Sequence, residues 1–92
     1  MSYNYKTQRS NLFTEKGQLL FLAIRDNVNQ LLEKAGAVRE QEGSMHGKSG
    51  VSGESWDELA CFDRMVELGE LREITGPGTP GQYRVFVKNT YR

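Results

Sequence analysis

The chain has little of what small catalytic or metal-binding domains use. Its 92 residues include one cysteine, one histidine and one tryptophan. A single cysteine excludes an internal disulfide and fits a reducing compartment, so the expected setting is cytoplasmic. A structural zinc site takes about four ligands at suitable spacing, which His46 and Cys61 alone cannot supply. No metal and no cofactor are expected. The longest apolar run, Leu19 to Ile24, is far too short to span a bilayer, and Met1-Ser2-Tyr3-Asn4-Tyr5-Lys6 has no apolar signal-peptide core. No membrane partner is expected.

Catalytic motifs are missing as well. Gly43-Ser44-Met45-His46-Gly47-Lys48-Ser49 looks like a phosphate loop, but that pattern needs four residues between its glycines and this stretch has three. No nucleophile has a base positioned by a third group, so triad chemistry is unsupported and a non-enzymatic protein is expected. No internal repeat or heptad run is present.

Net charge is zero, from 12 basic and 12 acidic residues, but it is unevenly placed. Residues 1–14 carry Lys6 and Arg9 without an acid. Residues 54–73 carry seven acids against Arg64 and Arg72, and residues 75–92 carry Arg84, Lys88 and Arg92 without an acid. Both ends are basic and the stretch between them is acidic.

The length suits one domain with a modest core, spanning 1–92. Residues 1–13 read as an extended arm with Tyr3, Tyr5, Leu12 and Phe13 as anchors. Thr14 is placed to cap a helix over 14–35, whose stripe is Leu20, Phe21, Ile24, Val28, Leu31, Leu32 and Ala35, with Gly36 as its stop. Leu19 and Leu22 lie off that stripe, so either the arm or a second copy of the chain must cover them. Residues 37–53 read as a Gly-rich loop, in which Ala37-Val38-Arg39-Glu40 could be a short strand or a helix tail. Ser55 suits the cap of a second helix over 54–69 ending at Gly69. Its 100° projection puts Trp56, Leu59, Phe62, Asp63 and Val66 on one side, and Cys61, Met65 and Leu68 on a second stripe. Residues 70–88 form a β-hairpin: Leu71 to Ile74, a tip carrying both prolines, and Tyr83-Arg84-Val85-Phe86-Val87. Alternation puts Arg84, Phe86 and Lys88 on one strand face.

The run Met65-Val66-Glu67-Leu68-Gly69-Glu70-Leu71-Arg72-Glu73-Ile74, the Gly/Pro tip and Gln82-Tyr83-Arg84-Val85-Phe86 together resemble the junction of recognition helix and wing in winged helix-turn-helix proteins. The resemblance implies a small α+β, winged-helix-like domain of two long helices and a C-terminal hairpin. It also implies DNA as a partner, with a transcriptional regulator as one form, and a homodimer paired through long helices. The family has a short second helix where residues 37–53 show no apolar helical period. The helix aligned with the recognition helix is acidic, which phosphate would repel. DNA contact is therefore expected through Arg72, Arg84, Lys88, Arg92 and Lys48, on the wing and basic segments. The alternative is a protein-interaction or dimerisation module using helix 54–69, with Glu58, Glu67, Cys61 and Met65 at its surface.

Overall fold

The amide of Gly17 donates to Thr14 Oγ1 at 3.0 Å, so Thr14 caps the long helix as its position suggests. In the computed structural model, which describes residues 3–44 and 55–90, that helix is α2 (Glu15–Ala35), preceded by α1 (Tyr5–Gln8) and a 3-10 segment, Arg9–Phe13. A two-residue strand β1 (Val38–Arg39) and the short helix α3 (Glu40–Gly43) follow. Then come α4 (Ser55–Glu67), β2 (Leu71–Glu73) and β3 (Val85–Lys88), with a 3-10 turn at Gly81–Tyr83. The Gly-rich loop expected over 37–53 is corrected in its first part, where residues 38–43 form β1 and α3, and 45–53 lie outside the described residues. Ser55, expected as a cap, is the first residue of α4.

Both long helices stop at glycines. Gly36 and Gly69 take φ of 79° and 80°, where a Cβ would be strained. At the second, Glu70 N–H donates to Met65 O and Gly69 N–H to Val66 O, the paired bonds of a Schellman ending. That ending turns the chain directly into β2.

The three strands form one antiparallel sheet in the order β1-β3-β2. The hairpin is as expected, and β1 adds a third strand on the other side of β3, with Val38 opposite Phe86 and Arg39 opposite Val85. A two-residue strand has no measurable period, which is why residues 37–40 could not be assigned from the sequence. Helices cover one face of the sheet. Leu20, Phe21, Ile24, Val28 and Leu32 of α2 meet Ala60, Cys61, Phe62 and Met65 of α4 and Val38, Leu71 and Phe86 of the sheet. The Phe62 and Phe86 rings tilt together at 4.9 Å. Ala35, expected in the α2 stripe, is exposed. The fold is thus α+β, and no helix among the described residues is long and apolar enough to cross a membrane.

The N-terminal arm corrects an expectation. Residues 5–13 are helical and not extended, and Leu12 is buried in the core. Phe13 stays exposed at the surface, with the Arg9 and Arg64 guanidinium groups 4.9 and 5.2 Å from its ring centre. The arm does not cover Leu19 and Leu22, which remain exposed.

Candidate functional site

Arg84 stands where the inner face of the sheet meets α4. Its Nη2 donates to Asp63 Oδ1 and Glu73 Oε1, both at 2.7 Å, and its Nε donates to Glu73 Oε2 at 2.9 Å. The Tyr3 hydroxyl donates to Asp63 Oδ2 at 2.6 Å. One guanidinium, from the residue just before β3, therefore joins β2 and α4, and through Asp63 the arm. The Arg84 side chain is 15% exposed, and the Glu73 carboxyl is held below its ordinary range chiefly by the bonds from Arg84. The alternation of Arg84 with Phe86 is as expected, but this face is the inner one: Phe86 is buried and Arg84 sits over its ring. The guanidinium expected to contact phosphate is engaged by two carboxylates within the fold.

The same logic explains the acids of α4. Asp57 Oδ1 accepts from Gln8 Nε2 and Asn11 Nδ2, each at 3.2 Å. Glu67 Oε1 accepts from the Tyr5 hydroxyl at 2.8 Å, Arg9 Nε at 2.9 Å and Arg64 Nη1 at 2.7 Å. With Tyr3 on Asp63, five arm side chains donate to three carboxylates on one helix. These bonds, with Arg9 foremost, hold the Glu67 carboxyl down at about 2. The acidic side of α4 is thus a seat for the chain's own N-terminal segment. This pairing joins residues 46 to 62 positions apart, and only the opposite charges of the two stretches hinted at it.

The other residues proposed for a partner on α4 are not at its surface. Cys61 is 0% exposed, Met65 1% and Glu58 2%. The stripe of Cys61 and Met65 faces the core, while Val66, placed on the opposite stripe, is exposed together with Leu68. The helix lies between α2, the sheet and the arm, so its middle is enclosed on more than one side and a single apolar stripe does not describe it. Burial pushes the Cys61 thiol up to about 12, which makes it inert at neutral pH. Trp56 is half-buried.

Glu40, at the start of α3, is buried beside this region. Burial, then the nearby Glu58 carboxylate, push it up to about 7, while Arg84 acts in the opposite direction. A folded pKa above the ordinary 4.5 means that the folded chain keeps a proton which the unfolded chain gives up. Glu40 therefore favours folding most below about pH 4.5, and that contribution is lost as pH rises through about 7. Glu40→Gln is expected to remove this slope. Urea unfolding at pH 5 and pH 8 checks it: the wild type should lose stability relative to the variant on going to pH 8. The Glu67 contribution runs the other way, disappearing only as pH falls toward about 2.

Of the expected DNA contacts, Arg72 and Lys88 are exposed; Lys48 and Arg92 lie outside the described residues. Lys88 lines a solvent-open groove of about 680 Å³ with Arg25, Leu32 and Glu70, where Arg25 pairs with Glu70 at 2.6 Å. Arg72 lies on the opposite, outer face of the sheet. The register puts Arg72 beside Val87 and Arg39 beside Val85 on that face, while Phe86, Glu73 and Val38 point inward. Ile74, paired to Val85 through its amide, continues the row and is 56% exposed. Arg39 had no functional reading from the sequence; its only signal was Val38, a good strand former, immediately before it. Among the described residues no group of His, Cys, Asp and Glu is placed to hold a metal ion. No protein-family model, curated protein or solved structure matches the chain.

Proposed function

We propose that the chain is a non-enzymatic, winged-helix-like interaction module that binds a protein partner, and that α4 does not read DNA. The order of elements supports the likeness: a long first helix, the short α3 where that family has its second helix, then α4 and a wing hairpin. The observation that carries the functional reading is the arm lying across α4. A helix that enters a major groove needs an open face of donors for base edges and phosphates. Here that face offers carboxylates, and Tyr3, Tyr5, Gln8, Arg9 and Asn11 already occupy them.

A second reading, DNA contact by the wing, rests on exposed Arg72 and Lys88. Retention on mixed duplex DNA at two salt concentrations separates the two. The interaction reading expects no retention at low salt. Micromolar binding that collapses with added salt, and is lost in Arg72→Glu/Lys88→Glu, would favour the wing. The mass of the free protein, taken in the same run, tests the homodimer expected from Leu19 and Leu22: a dimer gives twice the chain mass.

A further inference from the structure

Among the described residues no helix packs on the outer face of the sheet. The helices described above pack on the other side, where Val38, Leu71 and Phe86 are buried. On the outer side the register assembles Ile74, Val85 and Val87 as an apolar row, with Arg39 at one edge strand and Arg72 at the other. None of these positions is acidic. The acids of the neighbouring chain are directed elsewhere: Glu73 to Arg84 and Glu70 to Arg25 on α2. Glu42 borders the face, accepting the Arg39 backbone N–H at 3.4 Å.

We propose that this face docks a protein segment that presents apolar side chains between carboxylates. The inference rests on reading the domain as an interaction module and names its surface and the chemistry of its partner. Three occupants compete. A second copy in a two-fold pairing would set Arg39 and Arg72 against their own like charges, with Glu42 at the border of each face already accepting the Arg39 backbone N–H. Duplex DNA needs many phosphate contacts for affinity, and two arginines flanking a branched aliphatic row supply few of them. A segment with both apolar and acidic groups satisfies the row and both arginines, and arginine is enriched at interfaces. Strand spacing puts the Arg39 and Arg72 backbones about 12 Å apart, close to the span of two residues four positions apart on an extended chain.

The test uses the full chain and amide shift mapping by NMR. The probes are a peptide with glutamates four positions apart and leucine and valine between them, the same peptide with lysine for glutamate, and a short DNA duplex. The expected result is saturable shifts at Arg39, Arg72, Ile74, Val85 and Val87 with the glutamate peptide alone. The doubly substituted Arg39→Glu/Arg72→Glu chain, checked for unchanged folding by circular dichroism, should bind at least about tenfold more weakly. Equal binding of the lysine peptide, shifts confined to Leu19 and Leu22, or no shift at about millimolar peptide would overturn the inference while leaving the interaction module standing. Salt-sensitive DNA shifts at Arg72 and Lys88 would overturn both.

Discussion

Replacing Arg84 by methionine is expected to lower the unfolding free energy by about 2–3 kcal/mol, measured by urea unfolding at neutral pH. The substitution keeps an aliphatic stem over Phe86 and removes the cation from between Asp63 and Glu73. Removing one member of a buried pair costs about 3–5 kcal/mol. These three side chains are 15, 18 and 24% exposed, so water meets part of the loss. The pH dependence gives the cause. Glu73 is held low by Arg84, so the stabilisation is present above the ordinary carboxylate range and is lost as pH falls below that range, through the lowered folded value. The variant should therefore fall furthest below the wild type at neutral pH and approach it in acid. Arg72→Met, an exposed neighbour on β2, should change stability by less than about 0.5 kcal/mol. If the two variants behaved alike, Arg84 would be a surface charge and the wing would regain a phosphate contact.

The second large effect is expected at Gly17→Ala. Within an ordinary helix this change stabilises by about 1 kcal/mol. Here a Cβ on Gly17 would stand 2.0 Å from the Asn11 carbonyl oxygen and 2.7 Å from Leu12 Cα. Both atoms are backbone, so no rotamer change relieves the contact; the 3-10 segment must lift from α2. Leu12, buried at 1%, would be drawn out with it, at about 1.5–3 kcal/mol for the side chain. The expected outcome is a loss of about 2 kcal/mol or more, together with faster amide exchange along residues 5–13. A gain in stability would mean that the arm does not sit on α2 and α4 as described, and the central argument against DNA reading by α4 would go with it.

The arm also shows how charge patterning is to be read. The acidic stretch and the basic N-terminal stretch were visible as opposite charges, but a sequence does not say which acids meet which donors. Taken one element at a time, an acidic helix suggests a partner surface. Once Tyr3, Gln8, Arg9 and Asn11 are placed, the same acids account for a contact inside one chain. Glu58, Cys61 and Met65 show the corresponding limit for burial. A projection at 100° assumes one apolar side, and α4 has neighbours on several.

What the sequence determined by itself was local. Thr14 and Gly36 bound α2, Gly69 ends α4, and the apolar period of α2 names most of its buried side, because caps, glycine conformations and helical periodicity depend on residues within a few positions of one another. The hairpin was equally legible, since strand formers flank a tip that cannot continue a strand. Only the tertiary structure decided that β1 joins the sheet, that Arg84 turns inward to Asp63 and Glu73, that the arm occupies α4, and that Arg39 and Arg72 share the outer face of the sheet. Each of these brings together groups far apart in the chain, and their energies depend on burial and distance, which sequence spacing does not carry.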